Sequence, residues 1–165
     1  MTQLKNIFIA FIIALFFWVL LNNSFEPLIL IIGAGVSLVL AIVFCSRCNV
    51  FSELKLTPGA FIYSLIYIAV FLYELIKSNL DVARRILTPT LPINPGIVEV
   101  KTKLKSKMGK MILANSITLT PGTLTIDIQD DTLYIHWIDV KSDDINEATK
   151  QIVRKFEKYL EKIYG

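Results

Sequence analysis

Three apolar runs dominate the first half of the chain. They cover residues 7–21, 28–44 and 60–76, and the only charged side chain within them is Glu74, near the end of the third. Each run has about 15 to 17 residues, and a helix of that length barely crosses a hydrocarbon core about 30 Å thick. The pattern predicts three membrane helices, over about residues 6–22, 27–45 and 59–80.

A short polar segment separates the first two runs. It contains Asn22, Asn23, Ser24, Glu26 and Pro27, which are residue types typical of a tight turn. We therefore predict a helical hairpin that either spans the bilayer or re-enters it. The first run lacks an A-x-A-like cleavage site and a second apolar run follows at once, so we do not expect a cleaved signal peptide.

The chain changes character after residue 86. Pro89, Pro92 and Pro95 recur every third residue, which favours an extended polyproline II linker over residues 87–96. This predicts a membrane domain over residues 1–86, the linker, and a water-soluble domain over residues 97–165.

The water-soluble domain has the pattern of a small β-α-β-β-α unit. Alternating apolar and polar residues predict strands over residues 97–105, 123–128 and 133–137, and a helix is expected over residues 108–119. Thr120, Pro121 and Gly122 end that helix, and Asp130 and Asp131 predict a hairpin turn. The fold class is a membrane protein: short N-terminal transmembrane helices followed by a small α+β domain.

The same pattern predicts the apolar face of the second strand and the N-cap of the final helix. In the second strand the apolar positions are Leu124, Ile126 and Ile128, which a regular strand would place on one face. One continuous final helix is expected to begin at Ser142 as the N-cap, with Asp143 and Asp144 near its positive end.

Charge favours one orientation of the chain. The basic residues next to the apolar runs are evenly divided: three precede the third run (Lys5, Arg47 and Lys55) and three follow it (Lys77, Arg84 and Arg85). The positive-inside rule applied to these residues therefore does not select an orientation. The remaining basic residues all lie beyond the third run. We therefore predict a multi-pass protein of the plasma membrane with a cytoplasmic C-terminal domain.

The membrane runs offer a packing face and one acid. Gly33, Ser37 and Ala41 recur every four residues, which places small side chains on one helix face and allows another helix to approach closely. Glu74 is a candidate titratable residue at the membrane edge. An interfacial pair with Lys77, three residues later, is the favoured interpretation, and a proton or ion relay is the alternative.

Two segments resemble a known family. The segment LANSITLTPGT at residues 113–123 and IHWIDV at residues 135–140, together with the order of apolar runs, resemble the E subunit of the Mrp (or Mnh) multisubunit cation/proton antiporters. The resemblance covers nearly the whole chain. It implies a small accessory subunit, needed for assembly, in a complex that exchanges cytoplasmic sodium for external protons through its large subunits. It also implies candidate subunit contacts at Asn115, Ser116, Thr118, Thr120, Pro121 and Gly122.

Other chemistry has weaker support. The hydroxyls of Ser116, Thr118 and Thr120 with the sole histidine, His136, suggest nucleophilic catalysis only weakly, because no acid is placed to orient the imidazole. Cys45 and Cys48 form a single C-x-x-C, which is a weak metal motif, so a disulfide or free thiols are favoured. The sequence predicts no cofactor, no metal and no nucleotide site. The basic cluster at residues 101–110 fits anionic lipid headgroups or a protein partner better than nucleic acid.

Two hypotheses follow. The leading one is a non-catalytic accessory subunit of a sodium/proton antiporter, whose partners are the other subunits and membrane lipids. The alternative is a membrane-anchored ligand-binding or signalling module without a transport partner.

Overall fold

The computed structural model describes residues 2–47, 53, 55, 57–142 and 144–164. The chain forms two compact units, Met1–Leu54 and Lys55–Gly165. Among the described residues, three helices are long and apolar enough to cross a membrane. The predicted roles of Cys48 and Asp143 lie outside the described residues. The fold class is confirmed: three apolar helices precede a three-stranded antiparallel sheet with its own helices.

The first unit is the predicted helical hairpin. Helix α1 (Thr2–Asn22) contacts helix α2 (Pro27–Arg47). Asn23 adopts φ +46° in the turn, a left-handed conformation that asparagine tolerates better than most residues. Pro27 then supplies the first residue of α2, where its missing N–H costs nothing.

Helix α3 (Pro58–Leu87) opens the second unit. The Thr57 side chain caps its first turn by accepting from Ala60 N at 3.1 Å, and Pro58 follows the cap. One side of α3 presents a row of exposed apolar residues at helical spacing: Phe61, Leu65, Ile68, Leu72 and Ile76. Exposed apolar side chains on a helix that can cross a membrane are suited to contact with lipid or with another protein.

The segment after α3 differs from the extended conformation that its prolines predict. Leu91 has φ +42° and its N–H donates to Thr88 O, which closes a turn. Asn94 then pairs with the chain near Asp139, and its side-chain amide donates to Val140 O at 3.0 Å. The turn and these contacts tie the segment to the domain, so continuous polyproline II is wrong here. The division of the chain at residues 87 and 97 stays a prediction.

The sheet contains β1 (Gly96–Lys101), β2 (Thr123–Gln129) and β3 (Thr132–Trp137) in the order β1-β3-β2. β2 and β3 form the predicted hairpin, with Asp130 at φ +51° in its turn. A register shift between Thr125 and Asp127 corrects the expectation that the apolar residues of β2 share one face. Leu124 pairs with the exposed His136, whereas Ile128 pairs with the buried Leu133.

The bulge in β2 lies next to hydrogen bonds between this strand and a neighbouring helix. Thr125 is held by helix α4 (Lys107–Leu119): its N–H donates to Thr118 Oγ1 at 3.1 Å and its hydroxyl donates to Ala114 O at 3.2 Å. These bonds turn the threonine toward the helix. The hydrophobic pattern alone does not contain this information.

The final helix is divided, which corrects the prediction of one continuous helix. Helix α5 (Ile145–Ile152) and helix α6 (Arg154–Tyr164) meet at the fully buried Val153. The N-cap is Asp144 and not Ser142, because the Asp144 carboxylate accepts from Asn146 N and Glu147 N, each at 2.9 Å.

The core of the second unit lies between the sheet and its helices. α4 contacts β2 and α6, α5 contacts β1, and α6 contacts α3. The largest buried side chains are Leu104, Leu113, Ile117, Leu133, Ile135, Phe156 and Leu160. Helix α3 is thereby part of the folded unit as well as a membrane-spanning candidate.

Candidate functional site

The most distinctive feature is the contact between α3 and the rest of the second unit, which we call the α3 joint. It consists of three polar pairs, Tyr67 with Ser116, Glu74 with Lys155 and Arg85 with Asp139, and of aromatic contacts around Phe156. The α3 members lie at intervals of seven and eleven residues, which fall on one helix face. The joint therefore runs along one side of the C-terminal two-thirds of α3.

Aromatic packing forms the apolar centre of the joint. The Phe156 ring is fully buried, and its centroid lies 6.4 Å from the centroid of Tyr67 and 6.4 Å from that of Phe71. These separations are typical of favourable edge and tilted ring contacts. The joint is therefore held by burial as well as by polar pairs.

Glu74 has a different partner from the expected one. Its Oε2 lies 3.0 Å from Lys155 Nζ on α6, and the two side chains are only 16% and 29% exposed. The favoured pair with Lys77 is therefore wrong, because α6 packs against α3 and brings a lysine from far along the chain. Removing one partner of a partly buried pair strands the other charge, so this pair constrains the joint.

Arg85 fixes the other end of the joint. Its Nη1 contacts Asp139 Oδ2 at 2.9 Å and donates to Pro92 O at 2.7 Å, while its Nε donates to Asp81 Oδ2 at 2.8 Å. A planar guanidinium can serve several acceptors in this way without losing its charge. Arg85 therefore links α3, the turn that follows it and the end of the sheet.

The predicted motif residues of segment 113–123 separate into internal and exposed positions. Ser116 is buried and hydrogen-bonded to Tyr67, and Thr120 is buried with its hydroxyl donating to Ser116 O at 2.6 Å. Gly122 has φ +91°, and a Cβ there would lie 3.0 Å from Ile138 Cγ2. Pro121 is half-buried, whereas Asn115 and Thr118 are exposed. Ser116 therefore links the motif to the α3 joint. Asn115 and Thr118 are exposed, and the Thr118 hydroxyl accepts from Thr125 N.

The small-residue face of α2 lies in the first unit. Gly33, Ser37 and Ala41 are buried. A Cβ at Gly33 would lie 2.8 Å from Trp18 Cγ and closer still to two other atoms of the indole, whose Nε1 donates to Ile29 O at 3.1 Å. The glycine therefore gives the Trp18 ring room to reach a backbone carbonyl of α2.

The residues that suggested catalysis are separated. His136 is on the exposed face of the sheet, paired in register with Ile97 and Leu124. Ser116 is bonded to Tyr67 and Ile112 O. Cys45 is buried. Within the described residues, no group of three or more His, Cys, Asp or Glu side chains is placed to hold a metal ion.

Sequence reasoning missed the partners from distant parts of the chain. Lys155 reads as one of several basic residues on an amphipathic helix, and Trp18 as one of several apolar residues of a membrane run. Glu157 is buried, and its Oε1 accepts from Thr102 Oγ1 at 2.6 Å and Lys103 N at 2.7 Å. Its only sequence signal is a position on the apolar side of α6, near Phe156 and Leu160.

The Tyr67–Ser116 bond gives a testable coupling. We expect Tyr67→Phe and Ser116→Ala each to lower the free energy of unfolding by about 1–2 kcal/mol, because each removes the bond between the two hydroxyls. Tyr67→Phe leaves Ser116 with only its bond to Ile112 O, and Ser116→Ala leaves the part-buried Tyr67 hydroxyl without this partner. A double-mutant cycle in mild detergent should give a coupling of about 1 kcal/mol. Tyr73→Phe, which alters an exposed tyrosine of the same helix, is the control. Additive effects of the two joint variants would contradict the coupling.

Comparisons with known proteins agree along almost the whole chain. A family model described as a Na+/H+ ion antiporter subunit matches residues 11–163. The Na+/H+ antiporter E subunit of Alkalihalophilus pseudofirmus is 40% identical over 139 residues, which are 83% of this chain and 82% of the relative. The corresponding E1 subunit of Staphylococcus aureus is 34% identical over 157 residues, covering 88% of this chain and 92% of the relative.

A solved structure is similar over an even larger share. One chain of a membrane-bound sulfane sulfur reductase, an archaeal respiratory membrane complex, is 44% identical with a TM-score of 0.82 and covers 94% of this chain and 96% of its own. The resemblance drawn from segments 113–123 and 135–140 is confirmed by the family model and the relatives. This chain is a membrane protein that belongs to the family of Na+/H+ antiporter E subunits.

Proposed function

We propose that this chain is a non-catalytic accessory subunit of a multisubunit sodium/proton antiporter, with its C-terminal domain in the cytoplasm. The observation that carries the proposal is the match of the antiporter-subunit family over residues 11–163. The chain exchanges no ions by itself. It supports the assembly and activity of a complex that extrudes sodium and controls pH.

The distribution of charge in the membrane helices supports an accessory role. Proton and ion pathways depend on ionisable side chains within the membrane. Between residues 7 and 44 the only charged residue is Glu26 in the hairpin turn, and in α3 the Glu74 carboxylate is held by Lys155. The large subunits of the complex therefore provide the ion path.

Two surfaces are proposed to contact other subunits. Asn115 and Thr118 are the exposed polar positions of the motif, and α3 presents its exposed apolar row on another side. The small residues Gly33, Ser37 and Ala41 serve helix packing in the membrane. The membrane-anchored module without a partner is not favoured, because the relatives are antiporter subunits over most of their length.

A second candidate function is that of an accessory subunit in a respiratory membrane complex. The observation that favours it is the 44% identity and the TM-score of 0.82 to a chain of the sulfane sulfur reductase complex. In this candidate the chain is an accessory subunit of a respiratory membrane complex that contains redox subunits.

One purification tests both candidates. The tagged chain is isolated from native membranes in mild detergent, and the proteins that accompany it are identified by mass spectrometry. Large antiporter-like subunits without redox subunits support the antiporter, and antiporter-like subunits together with redox subunits support the respiratory complex. Recovery of the chain alone, while other membrane complexes stay intact, contradicts both.

The cytoplasmic orientation is tested separately. A green fluorescent protein fused after the last residue is expected to fluoresce, and alkaline phosphatase fused at the same position is expected to be inactive. The opposite pair of results would place the domain outside. Neither fusion depends on which complex contains the chain.

A substitution at Glu74 distinguishes a structural role of its carboxylate from a role in proton relay. We expect Glu74→Gln to leave sodium/proton antiport within about twofold of wild type when equal amounts of complex are compared, because a glutamine oxygen can still accept from Lys155. Glu99→Gln on the exposed face of the sheet is the matched control. Loss of antiport in fully assembled Glu74→Gln complex would identify the carboxylate as a relay.

A further inference from the structure

A pocket of about 590 Å³ lies between the C-terminal half of α3 and the rest of the second unit. It is formed where α3 passes the end of α4, the end of β3 and helices α5 and α6. Its charged lining is unbalanced: Lys77, Arg84, Lys141 and Lys155 face only Glu74 and Asp81. The pocket therefore has a net positive charge.

The two carboxylates of the pocket are already paired. Glu74 binds Lys155 at 3.0 Å, and Asp81 binds Arg85 at 2.8 Å. Within the part of the chain that the structure describes, Lys77, Arg84 and Lys141 form no ion pair. Three cations around one cavity therefore have charge available for a bound anion.

The surroundings of these cations point to a lipid and not only to a small anion. Leu80, Trp137 and Ile152 also line the pocket, and Leu80 is 67% exposed. Ile76 continues the exposed apolar surface toward the apolar N-terminal half of α3. Tryptophan, lysine and arginine at the end of an apolar helix are typical of the level of the lipid headgroups.

We propose that this pocket binds the phosphate of an anionic phospholipid. Lys77, Arg84 and Lys141 surround the headgroup, Trp137 lies beside it, and the acyl chains follow Leu80 and Ile76 along α3. The proposal goes beyond the transport function and requires only that the chain is a membrane protein. It also assigns lipid binding to this pocket and not to the basic cluster at residues 101–110.

Native mass spectrometry of the purified full chain in neutral detergent tests the proposal. The probes are phosphatidylglycerol, phosphatidylcholine and inorganic phosphate, each titrated separately. We expect one phosphatidylglycerol to bind in preference to phosphatidylcholine. In the variant with Lys77→Gln, Arg84→Gln and Lys141→Gln, we expect affinity for phosphatidylglycerol to fall about 100-fold, because each cation contributes roughly a fivefold factor.

Matched variants keep the result interpretable. Lys101→Gln, Lys103→Gln and Lys105→Gln together remove the same charge from exposed positions elsewhere, and we expect them to change the affinity less than about threefold. Gln151→Glu alters an exposed side chain that lines the pocket. It leaves the cations in place and should weaken binding about fivefold by repulsion.

Each remaining outcome contradicts the proposal. Equal binding of the two lipids, or an unchanged affinity in both pocket variants, would show that the pocket does not select an anionic lipid. A larger loss in the variant of residues 101, 103 and 105 would place the lipid site there. Binding of inorganic phosphate as tight as that of phosphatidylglycerol, with the same dependence on the variants, would show that the ligand is a soluble phosphate group.

Discussion

Replacing Phe156 by alanine is expected to lower the free energy of unfolding of the second unit by about 3–5 kcal/mol. The ring is fully buried between α3 and the rest of the unit and contacts Tyr67 and Phe71. The substitution therefore opens a cavity at the place where α3 packs against α6. Denaturation of the full chain in mild detergent, followed by circular dichroism, measures the loss.

Phe61 offers a matched control for this substitution. It lies on the exposed apolar side of α3 with 67% of its surface accessible, so Phe61→Ala removes the same atoms without leaving a cavity. We expect a change of less than about 1 kcal/mol there. Similar losses for both variants would show that α3 is not packed against α6 as described.

The second large effect is expected at Gly33. Gly33→Ala should destabilise the hairpin by about 1–3 kcal/mol, because the new methyl group would overlap the Trp18 indole and displace it from Ile29 O. The midpoint of unfolding in an SDS titration, followed by Trp18 fluorescence in a Trp137→Phe background, measures the effect. We expect the emission to change as the indole loses its hydrogen bond.

Gly35 makes this experiment well controlled. A Cβ at Gly35 would meet no atom within 4 Å, and Gly35→Ala raises intrinsic helix propensity by the same amount as Gly33→Ala. The control should therefore match or slightly exceed the stability of the wild type. Equal stability of the two variants would contradict the close approach of α1 and α2 at Gly33.

The sequence predicts what depends on local pattern. Continuous apolar runs and the Asp130–Asp131 turn each determine an element through nearby residues, and the structure has those elements. The small residues at every fourth position of α2 similarly predict which face of the helix allows another helix to approach closely, because spacing alone defines a helix face.

Features that depend on distant residues were not predictable in this way. Glu74 has a lysine three residues away, yet its partner is Lys155 because tertiary packing brings α6 to α3. The register of β2 shifts between Leu124 and Ile128, next to Thr125, which is hydrogen-bonded to α4. The partner of Ser116 could also not be predicted, since Tyr67 lies in α3, 49 residues earlier in the chain.

The α3 joint has a consequence for the synthesis of the protein. Helix α3 is synthesised before its partners, because Ser116 follows Tyr67 by 49 residues and Lys155 follows Glu74 by 81 residues. Until residues 155 and 156 are translated, Glu74 lacks its partner Lys155, and the Tyr67 and Phe71 rings lack their contact with Phe156. A chain that ends before residue 155 therefore lacks both Lys155 and Phe156, so the packing of α3 can be completed only after these two residues have been synthesised.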